Sequence, residues 1–177
     1  MEKLITHFNT ANFKANCDNN NLTIEGYACH WNTPNKNGEI VDANSFQYWL
    51  SELDNGGQKP MMNYNHEDGN IIGGWDLLEC DDTGLYVIGH INGDVAFCRD
   101  TIIPLVKNGD LNGLSTEGWS DINTNRINND GVYITDFILT AISLVGLPAD
   151  FFAKFEIRNG LIVPKVQTIA GCKWYLH

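Results

Sequence analysis

Apolar and polar residues alternate with a period of two along much of this chain, the pattern of half-buried strands. In LTIEGYA over 22–28, Leu22, Ile24 and Gly26 fall on one side and Thr23, Glu25 and Tyr27 on the other. IIGGWDLL over 71–78 runs into the turn-forming CDDTG over 80–84, and LYVIGHI over 85–91 resumes the strand pattern, so 71–91 predicts a hairpin. Residues 110–119 and 132–145 predict two further strands, separated by a polar loop over 120–131. FILTAISLV over 137–145 is nearly unbroken apolar, as expected of a strand deep in a closed sheet.

Helical spacing appears twice. Phe46, Trp49, Leu50 and Leu53 share one face of a helix that Asn44 and Ser45 are placed to cap. A second helix is expected to open at Asp94, to run through Val95, Phe97, Cys98, Ile102 and Val106, and to stop at Asn108 and Gly109. Pro104 has no amide proton, which predicts a kink there or a shorter helix. Asn clusters at 19–21 and 123–129 read as loops. Short strands with two or three helices and no β-α-β alternation predict a mainly β (α+β) fold, a closed β-barrel ringed by a few α-helices.

Composition narrows the function. A length of 177 residues predicts one domain, and 43% hydrophobic against 19% charged residues argues against global disorder. The net charge is −11, with 22 Asp and Glu against 11 scattered Lys and Arg, so a nucleic-acid binder is not expected. No apolar run approaches the roughly 18 residues of a membrane span, and the first residues lack the layout of a secretory signal. Five widely spaced cysteines, with no Cys-x-x-Cys, predict a reduced compartment and no zinc site. Asp81–Asp82 and Glu67–Asp68 lack a calcium-ligand loop and read as solvated turns. No cofactor or metal is expected.

Three segments hold candidate chemistry: MNYNHED over 62–68, LNGLSTEGW over 111–119 and AISLVGLPAD over 141–150. A serine hydroxyl is a poor nucleophile until a neutral imidazole within hydrogen-bond reach accepts its proton. His66 and Ser115 can form such a pair, which must be close in space but need not be close in sequence. Gly113 and Gly118 flank Ser115 and are expected to let a substrate backbone approach. Trp119 is a candidate subsite residue, and Cys29–His30 reads as a strand end. The 120–131 loop, about a dozen residues long and Asn-rich, is expected to be a substrate-side flap that orders on binding.

The order of these segments resembles the prohead (capsid maturation) protease family of tailed bacteriophages. The resemblance rests on Tyr64-Asn65-His66 followed by Ile72-Gly73-Gly74 and the 82–87 hairpin, then Gly113-Leu114-Ser115, then ISLVGLPAD over 142–150. IEGYA over 24–28 and IVDANSF over 40–46 look like the family's opening strand and first helix, and the likeness spans about residues 22–155. It implies a serine endopeptidase with the barrel fold of herpesvirus assemblin. Such an enzyme acts in the host cytoplasm, inside the assembling prohead, on scaffold or the scaffold-like segment of the capsid protein and on itself. The resemblance makes Ser115 the nucleophile and His66 the general base. A homodimer is open, as the related viral fold suggests. Residues 156–177 fall beyond the likeness; an added strand and helix, an oligomer contact or the remainder of a trimmed extension all fit.

One departure stands out. The resemblance implies an acidic residue that orients the histidine at position 141, where this chain has Ala141, whose methyl group accepts no hydrogen bond. Three readings follow: an engineered Glu→Ala change that stops self-digestion, a different third member such as His90 or Asp136, or a naturally inactive relative. The stretch 116–119 is also more polar than the family pattern, so no oxyanion-hole amides are assigned. The competing function is a non-catalytic, barrel-shaped structural protein that binds capsid or scaffold; a carbohydrate-binding β-domain rests only on Trp and Asn content.

Overall fold

The structure is a computed structural model and describes residues 20–158 except 122 and 124. Among the described residues ten strands form, in chain order β1 (Leu22–His30), β2 (Glu39–Val41), β3 (Met61–Tyr64), β4 (Ile71–Cys80), β5 (Gly84–Ile91), β6 (Gly113–Trp119), β7 (Arg126–Asn128), β8 (Gly131–Ile134), β9 (Ile138–Val145) and β10 (Phe155–Ile157). Helix α1 (Gln47–Asp54) lies between β2 and β3. A π-helical turn (Cys98–Ile102) leads into α2 (Ile103–Asn108) between β5 and β6.

Seven strands make one sheet in the order β10-β1-β5-β4-β3-β9-β6, and β2-β8-β7 make a second. The large sheet curls into a half-barrel. The expected mainly β fold with few helices is present, but a closed barrel is not shown. Edge strands β6 and β10 meet through the bridge Gly113↔Lys154 and the bonds Leu114 N–H to Ala153 O (2.8 Å) and Phe155 N–H to Asn112 O (3.0 Å), without a continuous ladder. β10 is only three residues long, too short to pair along β6.

The concave face carries the core. Ile24, Met62, Leu114, Ile142 and Leu144 are all fully buried there, each worth roughly 1.5–3 kcal/mol of apolar burial. Alternation then sends Ser115, Glu117, Ser143 and Ala141 to the opposite face. The 71–91 hairpin forms as expected, with β4 and β5 antiparallel. Asp81 closes its turn, Oδ1 accepting from the N–H groups of Thr83 and Gly84.

Two expectations need correction. Residues 132–145 are two strands in different sheets, joined by a crossover over 135–137 that is held where Phe137 N–H donates to Ser45 O. An apolar run shows burial, and burial against two sheets looks the same in sequence as burial in one. Ser45 does not cap α1: its buried hydroxyl donates to Ile134 O, and α1 begins after Phe46 with no side-chain cap. Ser45 thus ties the helix approach to the crossover, while Phe46 packs its ring on Trp31, Trp49 and Phe137. The second helical run opens at Ala96 and Phe97, widens into the π turn and continues as α2, shorter than the stretch drawn from Asp94, and Pro104 follows the π turn closely. Gly109, at φ +81°, ends α2 as expected.

The 120–131 segment is not structureless, since it contains β7, which pairs with β8 as a hairpin. Of residues 156–177, Glu156 and Ile157 belong to β10, and those from 159 onward lie outside the described residues. No described helix is long and apolar enough to cross a membrane.

Candidate active site

The far side of β6 and β9 borders a cleft of about 890 Å³. Ser115, Glu117 and Gly118 line it from β6, Asn65 and His66 from the turn after β3, and Gly146, Ala149 and Asp150 from the loop after β9. Ser120 and Asn125 also line it, so the 120–131 segment does border the cleft.

Register places the serine. Ser115 stands opposite Ser143 on antiparallel β9, and Ser143 stands beside Asn63 on parallel β3. Gly113 begins β6 because a side chain there would meet Pro148 Cδ at 2.6 Å and Val145 O at 2.9 Å. At Gly118 a Cβ would meet Ile138 O at 2.1 Å. Both glycines thus admit this chain's own backbone and ring, and Gly118 also borders the cleft.

The turn that carries His66 is strained. Asn65 and His66 have φ of +50° and +62°, a left-handed pair without glycine. It is held by Asn65 N–H donating to Leu144 O at 3.1 Å and Glu67 N–H donating to Tyr64 O at 3.1 Å. The reversal brings His66 Nδ1 to 2.7 Å from Glu117 Oε1. A carboxylate only accepts, so a hydrogen bond across this contact requires the proton on Nδ1, which would leave Nε2 as the basic nitrogen. Glu117 Oε1 also accepts from Ser143 Oγ at 2.7 Å.

Sequence reasoning missed Glu117. The signal was there: a carboxylate two residues after Ser115 on a strand must share the serine's face. Ala141, 2% exposed, stands directly opposite Glu117. His90 is engaged elsewhere, with Nδ1 on Asp76 Oδ2 at 2.9 Å, and β5 lies on the far side of β4 from β3. Asp136 sits in the 135–137 crossover and is not among the cleft-lining residues. Trp119 is 73% exposed and does not line the cleft either.

A second pair lines the same cleft. Asp150 Oδ2 accepts from both the backbone N–H and Nδ1 of His30, each at 2.8 Å, fastening the end of β1 to the 146–150 loop. Cys29, beside it, is buried, and burial pushes its thiol pKa up, so it stays protonated at neutral pH and offers no competing nucleophile.

Comparison with known proteins fits this geometry. The sequence profile described as Caudovirus prohead serine protease matches residues 9–161. The chain belongs to that family. It is 28% identical over 109 residues to the prohead protease of Enterobacteria phage HK97, an alignment covering 61% of this chain and 47% of that protein. The match thus spans about half the length of this curated relative. The fold resembles that of the KSHV protease solved with a hexapeptide phosphonate inhibitor, at a TM-score of 0.54, 16% identity, and coverage of 79% of this chain and 66% of that one. At that identity the likeness is one of fold.

Proposed function

We propose that this prohead protease family member is a capsid maturation serine endopeptidase that cuts scaffold, or the scaffold-like segment of the capsid protein, and itself inside the assembling prohead. The observation that carries the reading is Ser115 and His66 lining one cleft, with Nδ1 of His66 committed to a carboxylate. Ser115 Oγ bonds to the scissile carbonyl carbon as its proton passes to His66 Nε2. The tetrahedral oxyanion collapses, the C–N bond breaks, and His66 returns the proton to the leaving amine. Water then adds to the acyl carbon by the same route, releasing the acid product and restoring Ser115.

The cleft suits a peptide chain, being open and about 890 Å³ in volume. Substrate identity, homodimer formation and the treatment of 1–177 as a single protease domain follow from the family reading. The non-catalytic structural alternative drew on Ala141, and a carboxylate beside His66 favours the catalytic reading over it.

Fluorophosphonate labelling read by intact mass tests the proposal. One adduct is expected on this chain and none on Ser115→Ala. An unlabelled chain, or equal labelling of Ser115→Ala, would refute the reading.

A further inference from the structure

Three histidines in the described residues hold a carboxylate, and that of His66 comes from an unexpected strand. We propose that Glu117 is the positioning residue for His66, so that nucleophile and orienting acid lie two residues apart on β6. This rests on the reading of Ser115 as nucleophile and His66 as base.

Four observations converge. Glu117 Oε1 lies 2.7 Å from His66 Nδ1. Ser143 Oγ donates to the same oxygen at 2.7 Å, so the carboxylate is fixed from β9 before it meets the imidazole. The backbone is fixed as well: Thr140 Oγ1 donates to Glu117 O at 3.2 Å, and the register shift between Glu117 and Gly118 falls directly after it. Across the strand pair, Ala141 shares the face of Glu117 and carries only a methyl group, which leaves the space above β9 to the longer side chain.

Four other acids are occupied elsewhere. Asp150 serves His30, Asp76 serves His90, Glu67 accepts from Asn70, and Glu39 accepts from Asn35 and Asn37. Glu117 does not take a proton in the reaction. It keeps its charge, holds Nδ1–H and stabilises the imidazolium that forms when Nε2 is protonated.

Ala141 is therefore the complement of Glu117, and the two positions should be exchangeable. The test compares rates of fluorophosphonate labelling at Ser115 for the wild type, Glu117→Ala, Ala141→Glu and the double variant Glu117→Ala/Ala141→Glu, with the melting temperature of each. Glu117→Ala should label about 10²–10⁴-fold more slowly at a similar melting temperature. The double variant should regain at least about tenfold of that loss, because position 141 presents a carboxylate to the same imidazole from the opposite strand. A purely structural Glu117 would not be rescued this way. Wild-type labelling by Glu117→Ala overturns the proposal, as does a loss that the double variant does not relieve. A proton NMR spectrum separates this proposal from the functional reading. A low-field His66 Nδ1–H signal, lost in Glu117→Ala, supports the positioning role even if Ser115 fails to label; its absence from the wild type overturns that role.

Discussion

The turn after β3 and the β4–β5 hairpin each present a histidine whose Nδ1 meets a carboxylate. At the turn it is His66 with Glu117 at 2.7 Å, and in the hairpin His90 with Asp76 at 2.9–3.0 Å. The pairs are chemically alike and their settings differ. His90 stands on a regular strand opposite Gly74, beside the register shift that places Asp76, and does not border the large cleft. His66 stands on a left-handed turn and shares that cleft with Ser115. A histidine–carboxylate pair is thus not a site by itself. What separates a clip between two strands from a histidine that shares a cleft with a serine is the backbone that carries the imidazole and the space beside it.

The largest expected effect tests that contrast directly. His66→Ala should slow labelling of Ser115 by at least about a thousandfold, whereas His90→Ala should leave it within about twofold. A large loss in His90→Ala would break the distinction between the two regions. Next comes packing. Gly113→Val sets a branched side chain against Pro148 and the Val145 carbonyl, which should cost about 1–3 kcal/mol in urea unfolding. Gly74→Ala places its methyl 3.5 Å from His90 Cε1, an ordinary contact, and should cost less than about 1 kcal/mol. Equal costs would mean that the serine strand is no more tightly seated than the hairpin.

Asp150→Asn should be intermediate. It weakens an acceptor that serves both the ring and the backbone N–H of His30, at a cost of about 1–3 kcal/mol by thermal or urea unfolding. The smallest effect concerns pH. The hydrogen bond to Asp76 raises the His90 pKa against the opposing effect of burial. A raised pKa on a basic group gives stability that is complete below the unfolded value of about 6.5 and is lost as pH rises through the folded value. The stability difference between wild type and Asp76→Asn should therefore be larger at about pH 6 than at about pH 9. Its charge-dependent part should stay below about 1 kcal/mol, because the His90 side chain is 37% exposed and solvent screens the pair. A difference that grew with pH would contradict the assigned cause of the shift.

Much of this could be read from the residues. Period-two patterning located β1, the β4–β5 hairpin and β6, because a half-buried strand must alternate. The ordered segments around His66, Ser115 and residues 142–150 pointed to the prohead protease family, and the profile match over 9–161 bears that out. Other features were misread for definite reasons. Ser45 has the chemistry of a helix cap, yet its hydroxyl is buried against Ile134 O, and only the packing of α1 against the crossover decides between the two. Gly113 and Gly118 signalled close approach correctly, but which atoms approach depends on strand register.

The sequence by itself determined the alternating strands β1, β4, β5 and β6, the polarity of their faces and the residue types available for chemistry, because these follow from local periodicity and side-chain character. Tertiary structure alone decided which acid meets which histidine. Glu117 reaches His66 through the antiparallel register of β6 on β9, the parallel register of β3 on β9 and a left-handed turn at Asn65 and His66. The two ladders relate segments distant in the chain, and a one-residue slip of β6 on β9 would turn Glu117 to the other face.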